Sequence, residues 1–323
     1  MSPAPRPRVS VVIPTFKRLP LVRKAIVSVL AQDLSKDEYE VIVVDSSPDD
    51  AVRRMVAELA ASAPCALHCH AKAPEGPGPS RNLGARHARA DVIAFMDSDC
   101  QAHPGWLRHS LAAFAPSVGL VQGKTLPDPA GRLGVFTWYP MNEEECFVYE
   151  CTNILYQREA FEQAGGFPAD ATPLAETPLG GEDVELAWTV KRAGWQSRFA
   201  PESIVYHEVV PVSPWRWLVA RRLVVWPRLV RRFPELRRFL VARYFWDAGQ
   251  ALLAPALAGA ALAWTTPWAL LLAAPYAVYR GGPSSRSFPG PLRPLRILPY
   301  LARDLVSLVL LLAGSLRHRC LVL

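Results

Sequence analysis

Over the first two hundred residues, apolar positions arrive in short runs separated by stretches of helical spacing. Val9–Ile13, Val41–Val44, Ala66–His70, Val92–Met96 and Val118–Val121 have the length of buried strands, and most are rich in β-branched residues. Between them, Leu19, Val22, Ile26 and Leu30 share one helical face, and Ala51–Ala61 and Pro79–Ala88 read as further helices. Thr152–Tyr156 predicts a returning strand, Glu182–Ala193 a helix that Gly194 ends, and Ile204–His207 a last strand. Strands alternating with helices predict an α/β domain whose mostly parallel sheet is covered on both faces. Ligands of such sheets lie beyond the carboxyl ends of the strands. Asp45 stands at the end of the second run, and Asp97 and Asp99 follow the fourth. Residues 128–150, with Gly, Pro, aromatics and the run Glu143-Glu144-Glu145, predict a loop over the site.

After Pro214 the pattern changes. Trp215–Arg243 carries nine Arg and one acid, Glu235, with apolar residues at Val219, Leu223, Trp226, Val230, Phe233 and Leu240. This is an amphipathic stretch that Pro227 and Pro234 divide into two or three short helices. Ala248–Tyr279 holds no charged residue over 279 − 248 + 1 = 32 positions. As one helix it would reach about 48 Å, more than the ~30 Å of a hydrocarbon core and less than two spans need. Thr265-Thr266-Pro267 is a natural break. Arg243 precedes the stretch, and Arg280, Arg286, Arg293 and Arg296 follow it. A short hairpin or re-entrant pair keeps both flanks on the cytoplasmic side. Ile297–Leu316 is a third apolar helix, interrupted by Arg303-Asp304, and reads as interfacial. The rival reading is an Ala/Leu-rich helical cap on a soluble protein. The expected domains are residues 1–212 and 213–323.

Charge follows the same division. The 323 residues hold 36 Lys+Arg and 29 Asp+Glu. Residues 1–214 hold 20 of the cations and 26 of the acids (20 − 26 = −6), leaving 16 and 3 for the rest (16 − 3 = +13). A basic, apolar tail suits an anionic membrane surface; nucleic acid would not require its long Leu/Ala runs. The six Cys and the segment MSPAPRPRVS, which has no apolar core, predict reduced thiols in a cytosol. Cys65, Cys69 and His70 share one short strand and do not converge as zinc ligands.

The sharpest chemical feature is Phe95-Met96-Asp97-Ser98-Asp99. A buried strand that delivers two carboxylates at i, i+2 suits Mg²⁺ or Mn²⁺, which can bridge a diphosphate. A solvated turn is the plainer reading of that pair alone. Around it stand Val9-Ser-Val-Val-Ile-Pro-Thr-Phe-Lys-Arg18, Val41-Ile-Val-Val-Asp45, Gly78-Pro-Ser-Arg-Asn-Leu-Gly84, Gly165-Gly-Phe167 and Gly181-Glu-Asp-Val-Glu-Leu186. In that order, over about residues 8–210, the chain resembles the family 2 glycosyltransferases.

The resemblance implies a GT-A fold, Rossmann-like, and an inverting, metal-dependent transfer from a nucleotide sugar. It implies that Pro14 and Thr15 line the nucleotide pocket, that Asp45 holds base or ribose, and that Arg81 lies near the nucleotide. Asp97 would contact ribose or the metal shell, and Asp99 would bind Mn²⁺ or Mg²⁺ with His207. Asp183 would be the base beside Glu182, and Asn153 would stand near donor or acceptor. In isolation Glu182 and Asp183 read first as helix caps, an order that the other motifs reverse. Ser46-Ser47-Pro48 departs from the family pattern after the second strand, and the Q-x-x-R-W motif of processive synthases is missing, so one sugar per encounter is expected. Glu143–Glu145, Trp138, Tyr139 and Phe147 could meet the acceptor or merely pin the loop. With the tail at the cytoplasmic membrane face, the acceptor is expected to be lipid-linked. The alternatives are a soluble transferase with a helical cap, and a catalytically idle scaffold of the same fold.

Overall fold

The computed structural model describes residues 6–134, 136–168, 173–174, 177–178, 180–282 and 296–323. It divides into two compact units, residues 1–131 with 139–209 and residues 132–138 with 210–323. Residues 132–138, which the sequence reading puts in the first domain, belong to the second unit.

In chain order the elements to the middle of the chain are β1 (Val9–Thr15), α1 (Leu19–Leu30), β2 (Tyr39–Asp45), α2 (Ala51–Ala60), β3 (Ala66–Ala71), α3 (Pro77–His87), β4 (Val92–Phe95), β5 (Cys100–Ala102), α4 (Trp106–Ala112) and β6 (Val118–Pro127). Then follow β7 (Thr137–Trp138), β8 (Ile154–Gln157), α5 (Arg158–Gln163), β9 (Pro173–Leu174), β10 (Thr177–Pro178), α6 (Glu182–Arg192) and β11 (Gln196–His207). The rest is β12 (Val210–Pro211), α7 (Pro214–Leu218), α8 (Trp226–Arg232), α9 (Ala248–Leu262), α10 (Ala274–Gly281) and α11 (Ile297–His318), with 3₁₀ turns at Arg221–Val225, Pro234–Phe239 and Pro267–Ala273.

The first unit is built on one eight-stranded sheet in the order β3-β2-β1-β4-β8-β6-β11-β5. Four pairings are parallel (β3–β2, β2–β1, β1–β4, β6–β11) and three antiparallel (β4–β8, β8–β6, β11–β5), so the sheet is more mixed than the sequence suggested. β1 and β2 are buried along their whole length, which is why their sequences read as unbroken apolar runs. Helix α3 lies directly on β1. A Cβ at Gly84 would stand 2.3 Å from Val12 Cγ1, so only glycine lets the helix approach this closely. The pairing of β11 with β6 shifts register twice, between Gln196 and Ser197 and between Ala200 and Ile204. Ala200 pairs with Gly123 and Ile204 with Lys124, so the β11 side carries three extra residues at a bulge.

The second unit is helical. The breaks expected at Pro227, Pro234 and Pro267 are all present, each in the first turn of a new helical segment. Helices α9, α10 and α11 pack around Leu253, Ala256 and Tyr276. Arg286 and Arg293, expected to flank the uncharged stretch, lie outside the described residues.

Candidate active site

The carboxyl ends of β1, β2 and β4 and the start of α6 supply the polar residues. α6 begins on Gly181, whose φ of 96° is a left-handed conformation natural to glycine. The turn delivers Glu182, Asp183 and Glu185 to the positive end of the helix dipole. Arg81, buried on α3, joins three acids. Its Nη2 donates to Asp97 Oδ1 at 2.7 Å, and its Nη1 stands 3.4 Å from Glu182 Oε1 and 3.6 Å from Asp183 Oδ1. Asn82, next along α3, exchanges two hydrogen bonds with Phe167 after the Gly165–Gly166 turn, which fixes that turn against the helix.

The Asp183 side chain is 19% exposed. The backbone N–H of Cys151 donates to its Oδ2 at 3.0 Å. Burial, then the neighbouring Glu182 charge, push its carboxyl up to about 7, with Arg81 opposing. Burial also acts to raise Asp97, but the Arg81 guanidinium outweighs it and holds that carboxyl below its usual range. Two acids on one arginine are thus driven apart, which is the arrangement of an acid–base site. Thr15 Oγ1, Arg81 Nε, Glu182 Oε2 and Asp183 Oδ1 are buried atoms with no hydrogen-bond partner. Buried polar atoms left this way are expected where a ligand completes the bonding.

A second group lies at Asp99. Its side chain is 8% exposed, contacts Arg18, and stands 3.4 Å from His207 Nε2. His207 Nδ1 is 2.6 Å from the carbonyl oxygen of Glu208. A carbonyl only accepts, so Nδ1 carries a proton and Nε2 is the ring nitrogen that faces Asp99. The donor set, a carboxylate and an oriented imidazole, fits Mn²⁺ or Mg²⁺. Cys100 Sγ completes a cluster in which the ligand atoms of Asp99, Cys100 and His207 all lie within 4.8 Å of one another. Asp97 feels both groups, since Arg81, His207 and Arg18 all favour its charge.

The residues singled out in the sequence are therefore distributed unevenly. Arg81, Asp97, Glu182 and Asp183 form one cluster, and Asp99 and His207 another. Pro14 and Thr15 end β1 as buried residues. Asp45 is fully buried, accepting from the Ser47 N–H at 2.9 Å and pairing with Arg53 at 2.9 Å. Asn153 is spent inside the sheet. Its Oδ1 accepts from Trp106 Nε1, and its Nδ2 donates to the carbonyls of Lys124 and Ser203. Both hydrogens of its amide nitrogen and one lone pair of its oxygen are thus held by the protein. Two members of the clusters escaped the sequence reading, Arg18 and Cys100. Arg18 closes the β1 motif already noted, and Cys100 directly follows the acidic pair.

The chain matches the sequence profile of glycosyl transferase family 2 over residues 10–135, and that of glycosyl transferase family group 2 over residues 92–281, more than half its length. It belongs to the family 2 glycosyltransferases. It is 27% identical over 214 residues to glycosyltransferase AglE of Haloferax volcanii, covering 64% of this chain and 68% of that protein. To the pre-mycofactocin glycosyltransferase of Mycobacterium tuberculosis it is 30% identical over 156 residues, 44% of this chain and 31% of that one, so it spans about a third of that relative. Its fold is GT-A. The mannosyltransferase PcManGT from Pyrobaculum calidifontis, solved with GDP-Man and Mn²⁺, superposes with a TM-score of 0.58 at 22% identity, covering 97% of this chain and 87% of that one. S. aureus TarS 1–349 with UDP gives 0.50 at 16%, covering 97% and 92%.

Proposed function

We propose that the protein moves one sugar from a nucleotide-sugar donor to an acceptor hydroxyl, by direct displacement with inversion, and that Asp183 is the base. The observation that carries this reading is the Asp183 carboxyl. It is held by a backbone N–H, raised to about 7, and has one oxygen without a hydrogen-bond partner, 3.6 Å from Arg81 Nη1. A base with that affinity takes a proton from an attacking hydroxyl near neutral pH. Among the described residues of the cluster, none is placed as a nucleophile activated by a neighbouring base, which favours a single displacement.

Asp99 and His207 would hold Mn²⁺ or Mg²⁺, which when bound stabilises a leaving diphosphate as a Lewis acid. The co-crystallised GDP-Man with Mn²⁺ of PcManGT and the UDP of TarS support the donor class. Arg81 keeps Asp97 ionised and tempers the charge of Glu182 and Asp183. Thr15 Oγ1 and Arg81 Nε offer free bonding capacity to donor or acceptor. The test is a panel of nucleotide sugars with Mn²⁺ or Mg²⁺, read as donor turnover and product anomer. Turnover of one donor with inversion, lost in Asp183→Asn, supports the reading. Binding without turnover by any donor moves weight to an idle scaffold.

The tail favours a membrane-facing enzyme with a lipid-linked acceptor, in the second unit taken by itself. Trp264 and Trp268 are 96% and 78% exposed, and Leu270, Leu271 and Val278 are exposed around the open apolar groove at Pro267–Ala277. Apolar surface of this kind next to an Arg-rich stretch suits the boundary of an anionic leaflet. α11 is, among the described residues, the helix long and apolar enough to cross a membrane. It carries Asp304 in a two-point pair with Arg280, however, which favours a peripheral or hairpin attachment. Flotation of the full chain with anionic vesicles, and its absence in a soluble fraction, checks this. Full recovery as free protein would favour the soluble cap.

A further inference from the structure

The Asp99 group contains a donor that a hard cation does not require. Cys100 opens β5 and pairs across to His207 on β11, with Gln101 opposite Tyr206 and Ala102 opposite Val205. Directly opposed residues on neighbouring strands point to the same face, so the thiol and the imidazole emerge side by side. Asp99, one residue earlier in the turn, closes over both. Cys100 is 1% exposed and His207 2%.

Two ligands bound 2.0–2.3 Å from one tetrahedral ion stand about 3.3–3.7 Å apart. The Asp99–His207 separation of 3.4 Å already meets that value, and the sulfur lies within 4.8 Å of both, inside the reach of a side-chain rotation. Carboxylate, imidazole and thiolate together form the donor set of zinc-class ions, whereas Mg²⁺ and Mn²⁺ prefer oxygen. Arg18 against the second Asp99 oxygen fixes the carboxylate from outside, as outer partners of metal ligands do.

From this we infer that the Asp99–Cys100–His207 cluster is a thiophilic cation site, which takes Zn²⁺, Co²⁺ or Cd²⁺ through Cys100 Sγ more tightly than Mn²⁺ or Mg²⁺. It rests on the metal role proposed above for Asp99 and His207 and adds the sulfur. Binding breaks the S–H bond of Cys100, forms a metal–sulfur bond and releases the proton to solvent. No electron is transferred.

The test uses metal-free full-length protein titrated with CoCl₂. A sulfur-to-cobalt charge-transfer band in the near ultraviolet is expected, absent in Cys100→Ser and retained in Cys65→Ser and Cys69→Ser. Calorimetry with ZnCl₂ and MnCl₂ should show Zn²⁺ binding roughly a hundredfold tighter. In Cys100→Ser the Zn²⁺ affinity should fall roughly tenfold to a hundredfold, with Mn²⁺ nearly unchanged. ¹¹³Cd NMR of the unmodified protein reads sulfur ligation without relying on a variant that might misfold. Bound Co²⁺ or Cd²⁺ with no sulfur signature overturns the inference, and so does Zn²⁺ binding that survives Asp99→Ala. Mn²⁺ binding without a sulfur signature overturns it while leaving the proposed metal role standing. Failure of every ion to bind, with a nucleoside diphosphate present, removes both.

Discussion

The two units differ in the apolar side chains they leave outside. In the first, Val9, Val11, Ile13, Val41, Val43 and Ile93 fill the centre, and the carboxylates stand at strand ends and at a helix start. In the second, Leu229, Phe233, Leu253 and Tyr276 are buried, and a polar group is buried with them. Asp304 is 3% exposed, and it accepts from Tyr276 Oη at 2.8 Å and from two nitrogens of Arg280 at 2.8 Å each. Gln250 donates to the Asp304 carbonyl at 3.0 Å. A Cβ at Gly249 would lie 1.8 Å from Arg280 Nη2, so the bare backbone of α9 makes room for the guanidinium. Meanwhile Trp264, Trp268, Leu298, Val309 and Leu316 point outward. Under the membrane attachment proposed above, the difference would follow from a different solvent. Water rewards burying leucine; a lipid boundary makes an unpaired ion the costlier group to expose.

The largest effect that can break this comparison concerns the first unit. Asp183→Asn should lower kcat by roughly 10²–10⁴-fold with nucleotide binding retained, as for loss of a general base. Steady-state kinetics beside calorimetry with the nucleoside diphosphate reads both, and a variant that keeps full turnover removes Asp183 as the base.

Next comes the buried ion pair of the second unit. Asp304→Ala removes both short bonds of Arg280, leaves it the 3.6 Å contact with Asp247, and should cost up to about 3–5 kcal/mol. Denaturant unfolding followed by Trp fluorescence measures it. A loss under 1 kcal/mol would mean that the pair is solvated.

Smaller is the double change Trp264→Ser with Trp268→Ser. Each indole removed from a leaflet boundary costs about 1–2 kcal/mol, so binding to anionic vesicles should fall roughly tenfold to a hundredfold. Unchanged binding would show that these exposed rings do not face lipid.

The smallest effect is a pH dependence. The native Asp183 carboxyl titrates at about 7 against an ordinary value of 3.8, so the unfolded chain loses this proton first as pH rises. Its contribution to stability therefore declines between about pH 4 and pH 7. Asp183→Asn should flatten that slope, raising stability at pH 8 relative to pH 5, as thermal melts at the two values would show. The rate should rise with pH through about 7, because only the ionised carboxylate takes a proton.

What could be read from the residues divides along the range of the interactions involved. Val9–Ile13 and Val41–Val44 announce themselves because strands buried on both faces need continuous apolar sequence. Asp97 and Asp183 stand out because a carboxylate at the end of an apolar run or at a helix start is conspicuous. Pro267 marks its break through its missing N–H. The three-residue strand Cys100–Ala102 was not legible. It exists only because β11 passes beside it, and nothing local separates it from the turn before it. β11 itself shows only its last four residues as a strand pattern, although it runs from Gln196. Asp45 has the local signature of a ligand-binding acid, but Arg53, on the following helix, turns back to neutralise it. Asn153 likewise reads as a polar residue at a strand edge, and only the packed sheet reveals three protein partners for its amide.

Those partners lie next to the bulge in β11. Ala200 and Ile204 are four positions apart, yet their partners Gly123 and Lys124 are neighbours on opposite faces of β6. An odd number of extra residues reverses the alternation, and Asn153 clasps the reversal by bonding the carbonyls of Lys124 and Ser203 on either strand. His207 faces Asp99 because, beyond that bulge, it pairs with Pro127 on β6 and with Cys100 on β5. The placement of the candidate metal ligand thus leans on a bulge held by a side chain outside the Asp99 cluster.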